Sequence, residues 1–118
     1  MPPCTFCHIV ADEPDEHVFA DEHTVAFLDV RPLFPGHLLV VTRDHVERLD
    51  DLDPARLEPL FTTVQRAMRA LASELDAPGV FVANNNTVSQ SVPHLHVHVV
   101  PRRPKVGRRG VVWPRARY

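Results

Sequence analysis

The segment His94-Leu95-His96-Val97-His98-Val99 alternates imidazole and aliphatic side chains without interruption. An extended strand accommodates this pattern directly. Successive side chains point to opposite faces, so the three imidazoles line one face and Leu95, Val97 and Val99 the other. A helix would scatter the same rings around its axis. Three of the chain's eight histidines lie within these five residues, and three titratable rings on one face imply chemistry or metal ligation. The competing reading is a solvent-facing strand that carries imidazoles by chance. The neighbouring Asn84-Asn85-Asn86 and Gln90-Ser91 weigh against it.

At 118 residues the chain is long enough for one core and too short for two. Its apolar runs, such as Leu38 to Val41, fall far below the roughly 20 residues needed to cross a bilayer. The opening MPPCTFCHIV lacks the basic region and apolar core of a secretory signal. A cytoplasmic protein is expected, and the net charge of −2 calls for neither a nucleic-acid nor a membrane partner. Charge is unevenly spread: all fifteen acidic residues lie within 1–76, whereas 77–118 carry seven basic residues and no acid. Residues 107–118 read as a basic tail. It is either a solvated terminus or a source of guanidinium groups for a phosphorylated ligand.

Two short strands, His17–Ala20 and Thr24–Asp29, flank a polar Asp21-Glu22-His23 turn and read as a hairpin. After RPLFPG, the run from His37 to Thr42 has the profile of a buried central strand. Asp53 and Pro54 open the main helix, with Leu57, Leu60, Phe61, Val64, Met68, Leu71 and Leu75 as its expected core stripe. Pro59 predicts a distorted first turn or a start near Glu58. Val80–Ala83 and Leu95–Val100 bring the strands to about five, giving an α+β fold with a mostly antiparallel sheet.

HLHVHVV resembles the motif that names the histidine triad (HIT) family of nucleotide hydrolases and transferases. CTFCHIVADE, AFLDVRPLFPGHLLVV, VANNN and QSVPHLHVHVVPR are similar to that family's blocks in order and spacing, so the resemblance spans the chain to Arg103. It implies a HIT-like domain over 1–106, with a five-stranded antiparallel sheet, one main helix and a short N-terminal helix, usually paired as a homodimer. It further implies a nucleotide substrate, such as a nucleoside phosphoramidate or dinucleoside polyphosphate, attacked at its α-phosphate through a covalent nucleotidyl-histidine with no catalytic metal. By position, His96 is the nucleophile, and His98, Gln90 and Ser91 hold the phosphate and leaving group, with His98 donating if protonated. His37 lies close by, Asn84 matches an asparagine near the phosphate, and Phe6, Ile9, Phe27, Leu28 and Val30 wall the base. Asp29 matches a ribose-binding position, although it could also simply initiate a turn. Ser89 stands where relatives commonly have glycine, and a serine there is strained if φ is positive. In some relatives a C-terminal aromatic reaches the partner's pocket, which gives Trp113 a possible influence on selectivity.

Cys4-Thr5-Phe6-Cys7 has the spacing that lets two thiolates meet one zinc ion, with two more ligands required. A redox motif would instead expect a preceding strand in a βαβ setting. Resemblance to a zinc-carrying subset of the family supplies the missing ligands as His45 and His94, for a structural zinc. Two rival functions remain: a hydrolase with a catalytic zinc held by His94 and His96, and a non-catalytic nucleotide-binding adaptor.

Overall fold

Alternation in the last strand and continuous apolarity in the strand beside it organise the whole sheet. The computed structural model describes residues 4–103; the tail from 107 onward, with Trp113, and the expected domain end at 106 lie outside them. Helix α1 (Thr5–Asp12) leads through a 3-10 turn (Pro14–Glu16) into the hairpin of β1 (His17–Ala20) and β2 (Thr24–Leu28). Strand β3 (Leu38–Thr42) follows, then 3-10 turns at Leu49–Asp51 and Pro54–Arg56, helix α2 (Leu57–Glu74), β4 (Gly79–Ala83) and β5 (His96–Arg102). The sheet order is β1-β2-β3-β5-β4, every neighbouring pair antiparallel, so β5 is interior and β4 an edge. This is the α+β architecture expected. Among the described residues no helix is long and apolar enough to cross a membrane.

Cross-strand pairing sorts the side chains. Val97 of β5 lies opposite Val40 of β3, and both join Leu38, Leu95, Val99, Leu60, Val64, Ala67 and Leu71 in a core between the sheet and α2. His96 and His98 lie opposite Val41 and Leu39, which belong to a second core with Val25, Phe27 and Phe6 of α1. All five β3 residues are therefore buried, because both faces of that strand are covered. Thr24 and Thr63 share a buried 2.6 Å hydrogen bond between their hydroxyls, tying β2 to α2.

Helix α2 departs from expectation on one flank. Leu60, Thr63, Val64, Ala67 and Leu71 face the sheet, while Leu57, Phe61 and Met68 are 36–39% exposed. The reason is angular: a single helix resting on one sheet buries a stripe, and these three residues lie beyond its edge. Pro59 is accommodated by helix timing. Asp53 caps a 3-10 turn by accepting from Ala55 N–H at 2.9 Å, and α2 begins only at Leu57, so Pro59 falls in the first turn, where its missing N–H has no intrahelical partner to lose.

Candidate active site

Backbone carbonyls set the protonation pattern of His94 and His96. His96 Nδ1–H donates to the His94 carbonyl at 2.7 Å, which leaves the Nε2 lone pair free. The ring is 1% exposed and meets Phe6 edge-on, with centroids 5.0 Å apart. His94 is bonded the other way round: its Nε2–H donates to the Thr42 carbonyl at 2.6 Å, so its Nδ1 carries the lone pair.

His98 receives its tautomer from a chain of two bonds. Leu33 N–H donates to His37 Nδ1 at 3.1 Å, so a neutral His37 keeps its proton on Nε2 and donates it to His98 Nδ1 at 3.0 Å. The His98 proton is thereby displaced to Nε2. The two rings have centroids 5.2 Å apart with their nitrogens between them, so the nitrogens point at one another. That is hydrogen-bond geometry, not the convergence on a third point that would make Asp29, His37 and His98 a chelate. Burial lowers the basicity of all four rings. For His98, burial and then the proximity of His96 and His37 bring the pKa to about 4; burial also lowers His37, against the pull of Asp29, and lowers His94 and His96. With its pKa brought to about 4, His98 is uncharged at neutral pH, and the proton it offers as a donor is that of a neutral ring.

A cavity of about 600 Å³ opens beside these rings. It is lined by Phe6, Ile9, Phe27, Leu28, Asp29, Val30, His37, Gln90, Ser91, His96 and His98, all anticipated, and also by Thr5, Arg31, Leu33, Leu39, Ser89 and Val92. Asp29 makes the turn contact and also lies on the cavity lining. Oδ1 accepts from Arg31 N–H at 2.9 Å as a turn residue, and Oδ2 lies 3.6 Å from His37 Nε2 on the cavity wall. Asn84 does not line the cavity: its side-chain amide donates to the His96 carbonyl at 2.9 Å and anchors the reactive strand from behind. Gln90 lines it, yet both ends of its amide are engaged elsewhere. Oε1 accepts from Thr87 N–H at 2.8 Å and Nε2 donates to the Glu47 carbonyl. Ser89 has φ +61°, the left-handed conformation that the glycine comparison anticipated. Leu33 could not have been found from sequence, because its contribution is a backbone N–H.

On the other side of Phe6 the metal-ligand candidates converge. Cys4 caps α1, its Sγ accepting from Cys7 N–H at 3.4 Å, which brings both sulfurs to one helix end. His94 Nδ1 lies 3.4 Å from Cys4 Sγ and 3.5 Å from Cys7 Sγ, and His45 Nδ1 lies 3.2 Å from Cys7 Sγ. All four donor atoms fall within 4.8 Å of one another. Ligands about 2.0–2.3 Å from one zinc ion have such spacings, and the fixed His94 tautomer aims its lone pair at the sulfurs. Burial, then Cys4, raises the Cys7 pKa, so without a cation this thiol keeps its proton at neutral pH.

Comparison with known proteins agrees with this geometry. The HIT domain model matches residues 10–105. Protein hit of Bacillus subtilis is 37% identical over 113 residues, covering 93% of this chain and 78% of that protein. Adenosine 5'-monophosphoramidase of Saccharomyces cerevisiae is 30% identical over 112 residues, 94% of this chain and 70% of that protein. Asymmetrical bis(5'-nucleosyl)-tetraphosphatase of Schizosaccharomyces pombe is 35% identical over 82 residues, 68% of this chain and 45% of that protein. Among solved structures, a zinc-bound histidine triad family protein from Mycobacterium smegmatis superposes with a TM-score of 0.78 at 38% identity, covering 85% of this chain and 75% of that one.

Proposed function

Since the chain belongs to the HIT domain family, we propose that it is a nucleotide hydrolase or nucleotidyl transferase acting through a covalent nucleotidyl-His96. The substrate class is a nucleoside phosphoramidate or a dinucleoside polyphosphate, in keeping with the activities named for two relatives. One observation carries the reading: His96 holds its proton against the His94 carbonyl and so keeps a neutral, nucleophilic Nε2 at the wall of the cavity.

His96 Nε2 forms a bond to the α-phosphorus as the bond to the leaving group breaks, and that group departs with the bonding pair. The His94 carbonyl stabilises the positive charge developing on the ring. His98, oriented through His37, donates Nε2–H to a phosphate oxygen. Asp29 accepts from the ribose hydroxyls, Phe6, Ile9, Phe27, Leu28 and Val30 wall the base, and Ser91 with the adjoining backbone faces the phosphate. Arg31 adds a cation on the same wall. Water then attacks the phosphorus, the P–N bond breaks with its pair returning to Nε2, and the proton that water loses balances the one the leaving group takes up from solvent, so that the mononucleotide and a neutral His96 are released. Rapid quench with a labelled nucleotide substrate tests this scheme. Acid-labile label on wild type, absent from His96→Ala together with a loss of turnover above about a thousandfold, is expected; undiminished turnover in a folded His96→Ala ends the proposal.

Cys4, Cys7, His45 and His94 would hold a structural zinc, whose contribution is to join α1, the segment after β3 and the start of the triad. What favours this over a catalytic zinc is direction: the His94 lone pair faces the sulfurs, and among the described residues His96 belongs to no cluster of metal-binding donors. A homodimer is supported by the exposed Leu57, Phe61 and Met68 on the outer flank of α2. Sedimentation of wild type and Phe61→Glu tests it, a shift from dimer to monomer being the expected result.

A further inference from the structure

The connection from β4 to the triad, residues 84–93, contributes Ser89, Gln90, Ser91 and Val92 to the cavity lining and contains two side-chain-bearing residues in the left-handed region, Thr87 at φ +71° and Ser89 at φ +61°. For a β-branched residue this conformation is a real outlier, and something must hold it. Four consecutive residues just after His45 do so, each with one bond. The Val46 carbonyl accepts from Leu95 N–H at 2.7 Å, and the Glu47 carbonyl accepts from Gln90 Nε2. Arg48 Nη1 donates to Thr87 Oγ1 at 3.0 Å, and Leu49 N–H donates to Asn86 Oδ1 at 2.7 Å. Gln90 closes the turn from within through Thr87 N–H.

We infer that Val46–Leu49 is a strap that imposes the binding shape of the phosphate loop, with Arg48 the positioning residue that keeps Thr87 left-handed. Arg48 is itself preset for this. Its Nε and Nη2 form a fork on the two Asp50 carboxylate oxygens at 2.8 and 2.9 Å, which leaves Nη1 directed at Thr87. The inference accounts for Gln90 as well: its amide is spent on Thr87 and Glu47, so it shapes the loop that carries Ser89 and Ser91. Arg48 is absent from the cavity lining, so its effect on a ligand travels through the loop. The strap rests on the nucleotide-site reading above, although not on the covalent step.

A substitution cycle tests it, read out by AMP binding in calorimetry as well as by KM and kcat, so that a failure of the His96 chemistry leaves the binding measurement intact. Arg48→Ala is expected to weaken AMP binding and raise KM about tenfold, with kcat much less affected, the size of shift that an unheld left-handed residue brings. Glycine adopts that conformation freely. Thr87→Gly is therefore expected to bind close to wild type, and Arg48→Ala/Thr87→Gly to recover most of the loss although the Arg48 contact is gone. Melting temperatures verify that all variants are folded. Wild-type AMP affinity in Arg48→Ala, or a double variant as weak as Arg48→Ala, would overturn the proposal, the second result pointing to the charge of Arg48 instead.

Discussion

At the scale of single residues, the site is governed by which ring nitrogen holds a proton, and for His94, His96 and His37 the deciding partner is a backbone group. Backbone partners cannot be mutated away, but they can be displaced. Gly36 has φ +94°, and a Cβ there would lie 2.3 Å from Leu75 Cδ1, with Leu71 Cδ2 and Pro101 Cγ at 3.4 Å. Gly36→Ala therefore holds a side-chain-bearing residue at a strained φ and requires the Leu75 side chain to move aside, and His37 is the next residue. A loss of about 1–3 kcal/mol in urea unfolding is expected, from overpacking and a strained φ together, with a fall in turnover beyond what the stability loss accounts for. The sequence suggested a turn at Pro35-Gly36, which the positive φ bears out, yet the crowding by Leu75, 39 residues further along the chain, is visible only in the fold. Asn84 carries the same lesson. Its composition marked it as polar and close to the triad, but only the fold shows that its amide grips the His96 carbonyl.

At the scale of elements, the start of α1, His45 just ahead of the strap and His94 just ahead of β5 meet at the four sulfur and nitrogen donors. With zinc bound there as proposed, chelation should release the N-cap of α1, whose Phe6 packs on His96, and loosen the strap that begins one residue after His45. Expected results are a drop in melting temperature of at least several degrees and a KM increase larger than the fall in kcat, while labelling of His96 persists. Equal turnover by metal-free and metal-loaded protein at saturating substrate would support the structural role; complete loss with the fold intact would favour metal-activated water. Element positions were largely legible in the sequence because period and breakers are local signals. The α2 stripe was only half legible, since Leu57, Phe61 and Met68 satisfy helical spacing but face away from the single sheet the helix covers.

Taking the molecule as a whole, four buried imidazoles with lowered basicity make its stability depend on pH. In the unfolded chain His98 titrates at its ordinary value of 6.5, whereas in the fold it does so at about 4. Between those values the unfolded chain binds a proton that the folded one refuses. Stability from His98 is thus fully present above pH 6.5 and falls as the pH drops toward 4, by about 3 kcal/mol. His37, His94 and His96 act in the same direction. Melting temperatures from pH 7.5 to 4.5 should trace the decline, and His98→Asn should flatten part of it; an unchanged profile would mean that the ring is hydrated in solution.

Alternation and apolar run length, both read along the chain, were sufficient to determine an antiparallel α+β sheet, a strand presenting three imidazoles on one face, and a cysteine pair able to share a cation. Neither property carries information about which distant backbone group will face a ring. Family resemblance had already set His94 apart from His96 and His98; tertiary structure shows how, turning the His94 lone pair toward sulfur and that of His96 toward the cavity, and making His98 a neutral donor. It also committed Gln90 to the loop itself. The physical reason is that hydrogen-bond partners and burial depend on contacts across tens of residues, whereas side-chain direction within a strand depends only on the residues next to it.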